Sequence, residues 1–272
     1  ENYLSKLTTG EKLGAFSLSE PQSGSDASNM KTIAKKVGDD YVVSGTKNWV
    51  TSGINCDYVI LFAVTKQGIG HKGVSAFVVD KEWEGFSCGK PENKLGIRAS
   101  DTCELYFDNV KIPKENLIGE EGMGFKIALA TLDGGRIGIA AQALGIAQAS
   151  LDASISYSKE RIQFGKPISA NQGIQFKLAD MAMEIEASRL IIRQAAYLKD
   201  KHLNFGPMAS MAKVYASETA MKASTNCVQI HGGNGYMRET GVERLMRDAK
   251  ITQIYEGTSE IQRVVIARGL LN

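Results

Sequence analysis

The sequence of 272 residues lacks long apolar runs and any strong excess of one charge, and it is poor in cysteine and histidine. Nowhere do apolar residues continue for the roughly 20 positions a helix needs to cross a bilayer. The 32 basic and 30 acidic side chains leave a net charge of +2, too near neutrality for the electrostatic footprint of a nucleic-acid or membrane-surface binder. The cysteines, Cys56, Cys88, Cys103 and Cys227, form no Cys-x-x-Cys pair and match no zinc spacing. They read as reduced, mostly buried thiols of an intracellular protein. His71, His202 and His231 stand far apart, which argues against a metal site and shows no partner motif for a histidine-activated nucleophile. Glu1 to Gly10 lacks the layout of a signal peptide, and a start at Glu1 is expected to follow a missing natural N-terminus. Internal repeats, low-complexity tracts and long linkers are absent too.

What remains is the balance of a soluble globular protein, 43% hydrophobic and 23% charged, with length for one large domain or two ordinary ones. The two halves differ. From about Leu13 to Pro113 short β-rich runs alternate with turn residues. Strands are expected at Leu13–Leu18, Lys31–Val37, Tyr41–Ser44, Asn48–Thr51, Tyr58–Val64, Val74–Val79 and Cys103–Phe107. Gly38-Asp39-Asp40 and Gly45-Thr46-Lys47 read as hairpin turns or bulges. The run from Asp57 to Val64 is apolar at nearly every position, the pattern of a strand buried on both faces. After Pro113 the period becomes helical, with long segments from Gly124 to about Lys159, Gln172 to Lys201, Pro207 to Ile230 and Thr258 to Leu271, lengths that suit a bundle. The expected class is α+β: a barrel-like or sandwich-like β-domain over 1–118, then a helical bundle over 119–272, with the boundary near Leu117–Gly122.

The segment from Ile254 to Arg263 carries the most chemistry. Glu256 stands beside Gly257, just ahead of a helix start, where Ser259 and Gln262 have capping-box spacing. A carboxylate on a short turn beside glycine lies where backbone can approach a ligand closely. Dried by its neighbours, it would be a strong base for a carbon acid; the plain alternative is a solvated loop glutamate. Phe16 to Asp26 leaves a strand for a loop rich in hydroxyls and glycine, able to bind phosphate or flavin edge atoms or to be a loop only. Trp49 is a candidate cofactor wall or a packing residue. Gly134 and Gly135 inside a helix each cost about 1 kcal/mol, which points to close approach of a ligand or of a neighbouring helix. Arg161 fits a bidentate phosphate contact or a surface ion pair. The start of the last helix favours anions.

Taken in order, the motifs resemble the acyl-CoA dehydrogenase family. They are Ser19-Glu20-Pro21-x-x-Gly24-Ser25-Asp26, Gly45-Thr46-Lys47-x-Trp49-x-Thr51, Lys94 to Ser100, Gly122-Met123-Gly124-Phe125, Asp133-Gly134-Gly135-Arg136, Arg161-x-Gln163-Phe164-Gly165, Gln229-Ile230-His231-Gly232-Gly233-x-Gly235-Tyr236, Arg247-Asp248-Ala249 and Tyr255-Glu256-Gly257-Thr258. The likeness runs from about Leu13 to Leu271, and within the family it is nearest to short-chain (butyryl-CoA) dehydrogenases. It implies FAD held between a β-domain and a helical bundle. Phe16, Leu18, Ser19, Gly24 and Ser25 with Trp49, Val50 and Thr51 are the implied flavin-binding elements. Arg161, Phe164, Gln172, Gln229, Ile230, Gly232 and Gly233 are the implied contacts to the adenine and pyrophosphate half across a subunit interface, and Thr258, Ser259 and Glu260 return to FAD. Ser25, Asp133, Gly134, Gly135, Arg136, Tyr255 and Gly257 are implied for the acyl-CoA, with Glu256 as the base. His231 is expected to fill space beside a glycine turn.

The resemblance further implies an electron-transfer flavoprotein as redox partner and a homotetramer built from dimers. The location would be cytoplasmic in a bacterium and the mitochondrial matrix in a eukaryote. Relatives usually open with an all-helical domain of about 100 residues, so the chain is expected to be a fragment or truncated form. An acyl-CoA oxidase or flavin monooxygenase, and an inactive acyl-CoA or flavin-binding fragment, remain open as alternatives.

Overall fold

The computed structural model describes residues 3–271; Glu1, Asn2 and Asn272, at the outer ends of the two expected domains, lie outside them. The chain divides into two compact units, 1–94 with 98–131 and 95–97 with 132–272.

The first unit begins with a short helix, α1 (Leu4–Thr8). Its strands are β1 (Gly14–Ser17), β2 (Ile33–Val37), β3 (Asp40–Thr51), β4 (Tyr58–Val64), β5 (Val74–Asp80), β6 (Phe86–Cys88), β7 (Thr102–Ile112) and β8 (Leu117–Ile118). They form one sheet in the order β6-β7-β3-β2-β4-β5-β8, with β1 paired to β4. The β1–β4 pairing is parallel, from Gly14 opposite Tyr58 to Ser17 opposite Leu61. As its composition requires, β4 buries side chains from both faces: Tyr58, Val59, Leu61, Phe62 and Ala63 are all in the interior. Gly38 and Asp39 make the two-residue turn of the β2–β3 hairpin, with Val37 opposite Asp40 and Gly38 at φ +63°, the left-handed conformation such turns demand.

Gly45-Thr46-Lys47 is a bulge within one long strand, and the strands expected on either side of it are continuous in β3. The register of β3 against β7 slips between Val43 and Gly45 and again between Lys47 and Val50. Glycine at 45 answers a close approach: a Cβ there would lie 2.7 Å from the Thr32 backbone on the loop entering β2. The second slip turns Trp49 outward, 61% exposed at φ +58°, as bulges re-aim side chains.

The second unit holds most of α2 (Gly124–Glu160), then β9 (Ile162–Gln163), β10 (Lys166–Pro167), α3 (Gln172–Asp200), α4 (Gly206–His231), α5 (Val242–Ile251) and α6 (Ser259–Leu271). The long helices fall within a residue or so of their expected spans. Helix α5 was not expected, although Val242, Leu245, Met246 and Ala249 recur at helical spacing along it; of these Val242 and Ala249 are buried. Helix α4 lies at the centre, packed on α3, α5 and α6. Its Ala209, Ala212, Ala216, Ala220 and Ala223 recur every three or four residues and are all buried, a small-residue face that lets neighbouring backbones approach. Ala140, Ala143, Ala147 and Leu151 of α2 and Met181, Ile185, Ile192 and Ala195 of α3 complete that core.

Candidate active site

In the first unit a buried ion pair ties the hydroxyl-rich loop to the β3 bulge. The Glu20 carboxylate accepts the backbone N–H of Lys31 at 2.6 Å and of Thr32 at 3.0 Å. The Lys47 ammonium donates to Glu20 at 2.9 Å and to the Leu18 carbonyl at 3.1 Å. The Asn48 N–H donates to the Ser19 carbonyl at 2.8 Å. These bonds bring Leu18, Ser19, Trp49, Val50 and Thr51 together, with Phe16 packed on Phe62. Leu18 and Val50 are buried beneath, whereas Gly24, Ser25, Trp49 and Thr51 are exposed. An outward indole beside free hydroxyls and loop amides is a donor set that suits the flat, acceptor-edged ring system of a flavin.

In the second unit the segment after α5 makes a tight turn. The Tyr255 N–H returns to the Ile251 carbonyl at 3.1 Å, and Glu256 and Gly257 follow at φ +55° and +90°. A left-handed glutamate is strained by about 1–2 kcal/mol, so surrounding groups must hold it. The Gln262 amide donates to the carbonyls of Glu256 and Gly257, both at 3.0 Å. The Lys213 ammonium donates to the Gly257 carbonyl at 2.7 Å. Both side chains are fully buried.

The helix cap differs from the expected Ser259–Gln262 box. Thr258 Oγ1 accepts the Ile261 N–H at 3.3 Å, while Ser259 Oγ has no partner among the described residues. Gln262 points back at the turn because its two carbonyls there have no helical donors. The Glu256 N–H itself meets no acceptor among the described residues.

The carboxylate of Glu256 lies over Gly135 of α2: a Cβ added at 135 would stand 2.6 Å from Oε2. Burial pushes the Glu256 carboxyl above its ordinary value, and the charges of Arg136 and Lys213 partly oppose this. Arg136 is 5% exposed, pairs with Asp133 at 2.5 Å and donates to Ser210 Oγ at 3.3 Å. Its Nε has no partner among the described residues. Tyr255 donates its hydroxyl to Gln142 of α2, and burial raises that phenol to about 12. Gly134 faces the Lys199 ammonium. Beyond it, at the end of α3, a cleft of 750 Å³ is lined by Lys199, Asp200, His202, Leu203 and Phe205.

Gly135→Ala should therefore leave thermal stability nearly unchanged, because the group displaced is the end of a flexible side chain. It should lower turnover about 100-fold, since a misplacement of about 1 Å costs that much at a reacting centre. Steady-state rates beside a melting curve decide it; unaltered turnover would place the carboxylate's task elsewhere.

Other expected residues lie on surface elements of the same unit. Phe164 is fully exposed at the tip of the β9–β10 hairpin, at φ +50°, and Arg161, Gln172, Gln229, Gly232 and Gly233 are exposed while Ile230 is buried. No hydrogen bond or ion pair among the described residues joins them to the Glu256 turn. Glu260 is exposed in the first turn of α6. His231 is stacked on Tyr157 with ring centroids 4.1 Å apart, and its Nδ1 lies 2.8 Å from the Cys227 carbonyl. Sequence reasoning gave no role to Glu20, Lys47, Gln142 or Lys213, and read Gln262 only as a capping residue. A signal for Lys213 did exist, as a lysine on the small-residue face of α4.

Residues 15–110 match the acyl-CoA dehydrogenase middle domain and 122–271 the acyl-CoA dehydrogenase C-terminal domain. The chain is 52% identical over 271 residues to the mitochondrial short-chain specific acyl-CoA dehydrogenase of Rattus norvegicus, covering all of this chain and 66% of the rat protein. It superposes on butyryl-CoA dehydrogenase from Megasphaera elsdenii with a TM-score of 0.99 at 52% identity, covering 100% of this chain and 71% of that one. A chain solved in work on the electron transferring flavoprotein of Acidaminococcus fermentans gives a TM-score of 0.98 at 50% identity, with coverages of 100% and 71%. The chain thus spans about two thirds of the length of such relatives. No helix among the described residues is long and apolar enough to cross a membrane. This chain belongs to the acyl-CoA dehydrogenase family, an FAD-dependent family of oxidoreductases, and carries its middle and C-terminal domains.

Proposed function

We propose that the chain carries the catalytic core for converting a short-chain acyl-CoA to its trans-2-enoyl-CoA, with FAD as cofactor and Glu256 as base. The observation that carries this reading is the half-buried Glu256 carboxylate, raised in proton affinity by burial and seated over Gly135. The α-carbon of a thioester is a weak acid, so its proton leaves only as negative charge on the thioester oxygen is stabilised. The unpartnered Glu256 N–H is a donor available for that oxygen. Glu256 takes the α-proton, and Tyr255 and Gly257 flank it along the acyl group. FAD, when bound, supplies the acceptor for the β-hydride. Phe16, Leu18, Ser19, Gly24, Ser25, Trp49, Val50 and Thr51 are the first unit's candidates for binding it, and Thr258, Ser259 and Glu260 are candidates in the second. Arg161, Phe164, Gln172, Gln229, Ile230, Gly232 and Gly233 serve its adenine and pyrophosphate half from a neighbouring copy. The exposure of all of these but Ile230, with that of Tyr236 and Met237, supports an oligomer, and the family likeness favours a homotetramer.

Asp133 to Arg136 serve the CoA arm, beside the cleft with its cationic Lys199. Electrons leave for an electron-transferring flavoprotein, a partner suggested by the Acidaminococcus likeness. Relatives of mitochondrial and of bacterial origin leave the compartment to the source organism.

The test is anaerobic mixing of the flavin-loaded protein with butyryl-, octanoyl-, lauroyl- and isovaleryl-CoA. Butyryl-CoA should bleach the flavin fastest. A flavin that stays oxidised with every thioester would end the proposal, and faster reoxidation by dioxygen than by electron-transferring flavoprotein would turn it toward an oxidase.

A further inference from the structure

Lys213 of α4 is fully buried among Ala209, Ser210, Ala212, Ala216 and Ser217, which are buried as well. An ammonium in such surroundings is costly unless something compensates it. Its hydrogen bond goes to the carbonyl of Gly257 at 2.7 Å, and it makes no ion pair among the described residues. That carbonyl belongs to the residue after Glu256, so the buried charge is aimed at the left-handed turn that carries the carboxylate.

Other charges face Glu256 too. Arg136 on α2, paired with Asp133 at 2.5 Å, also favours the ionised Glu256, more strongly than Lys213 does. Lys199 on α3 reaches toward Gly134. Tyr255 is held by Gln142, and Glu260 of α6 is exposed and lies near Arg263 and Lys250 of α5. Lys213 is the buried cation at this turn with no carboxylate in contact.

We infer that Lys213 is a positioning residue for the dehydrogenation: through the Gly257 carbonyl it fixes the Glu256–Gly257 turn, and through its charge it keeps the Glu256 carboxylate ionised in a dry site. This rests on the reading of Glu256 as the base. Burial, aided by Arg136, pulls Lys213 down to about 8, while Glu256 and Glu260 pull the other way. The side chain is thus charged at neutral pH and gives up its proton in mildly alkaline solution.

The test compares Lys213→Arg, which keeps the charge, Lys213→Gln, which keeps a donor only, and Lys213→Met, which keeps neither, in the flavin-loaded protein. One readout needs no turnover: the pH at which a protonated-carboxyl stretch appears in infrared difference spectra, assigned to Glu256 by its loss in Glu256→Gln. The other is the acid limb of flavin reduction by butyryl-CoA. In Lys213→Gln and Lys213→Met both midpoints should move up by about one pH unit, and Lys213→Arg should stay near the parent protein. A Lys213→Gln variant with parental midpoints would overturn the inference, even if it were slow.

The unsubstituted protein supplies a check that depends on no variant's folding. Its Glu256 carboxylate stretch should change in a second step as Lys213 loses its proton, between about 8 and the ordinary lysine value of 10.5, and absence of any step across that range also overturns the inference. If instead the infrared steps occur but Glu256→Gln reduces flavin at the parental rate, the base assignment fails while the Lys213–Glu256 coupling stands.

Discussion

Glu256→Gln should retain flavin and fold yet lose flavin reduction by butyryl-CoA by about 10⁴-fold, the upper range for removal of a positioned general base. The substitution is nearly isosteric. It leaves the hydrogen bonds of Gln262 and Lys213 to the turn intact, because these go to backbone carbonyls. What disappears is the ability to take a proton. The acid limb of the parent profile should lie above that of an ordinary glutamate, because burial raises the carboxyl against the opposing pull of Arg136 and Lys213. The linkage has the matching sign: the folded state holds this proton more tightly than the unfolded chain, so Glu256 costs stability as pH rises from the ordinary value through the raised one. The amide should remove that cost, making the variant slightly more stable at neutral pH. Anaerobic stopped-flow traces at the flavin band measure the rate, and reduction at the parental rate would remove Glu256 from the chemistry.

The parts of this site that were legible in the sequence are those where local rules and tertiary packing agree. Tyr58–Val64 matches the expected strand because eight nearly unbroken apolar residues from Asp57 leave little else to form. The Glu256-Gly257 turn was visible as an acid beside a glycine ahead of a helix. Errors cluster where a side chain answers a distant partner. Gln262 has the spacing of a capping residue, yet it serves two carbonyls of the preceding turn, and Thr258 caps the helix. The turn-or-bulge reading of Gly45-Thr46-Lys47 resolves to a bulge, and the sequence could not show that Gly45 there makes room for the Thr32 backbone. Helix α5 does carry a helical apolar period, Val242, Leu245, Met246 and Ala249, but it is only ten residues long and follows a glycine-rich stretch; its Arg247 pairs with Glu243 at 2.6 Å, and Asp248 accepts the Ile97 N–H at 2.6 Å. That last bond joins two motifs separated by 151 positions, a pairing no window along the chain can reveal. Lys47 and Lys213 escaped assignment for the same reason, since a lysine signals surface unless its buried partner is known.

Glu20→Ala should destabilise the fold far more than Gly135→Ala or Glu256→Gln, by about 3–5 kcal/mol, the usual cost of stranding a buried charge. Lys47 has a side-chain exposure of 0% and Glu20 of 2%, so neither can turn to water. Without the carboxylate, Lys47 keeps the Leu18 carbonyl and a long contact to Met30 Sδ, and the N–H groups of Lys31 and Thr32 and the Gln22 amide lose their acceptor. Lys47→Met should be milder, because Glu20 would retain both backbone donors. The pH response separates the partners. Burial alone would raise Glu20, but Lys47 and the backbone donors hold it below its ordinary value. Its stabilising contribution is therefore complete above the unfolded value and is lost as pH falls through the folded one. Burial pulls Lys47 down to about 8 although Glu20 opposes it. Between there and the ordinary value of 10.5 the folded state binds fewer protons, so stability from this group rises with pH. Lys47→Met should flatten that alkaline slope. Because the pair anchors Leu18 and Ser19 beside Trp49, Glu20→Ala should also release flavin below its melting temperature. Circular dichroism melts read alongside flavin fluorescence test both effects. A Glu20→Ala protein within about 1 kcal/mol of the parent, with its flavin retained, would show that the loop is held by other contacts, such as the Asn48–Ser19 backbone bond.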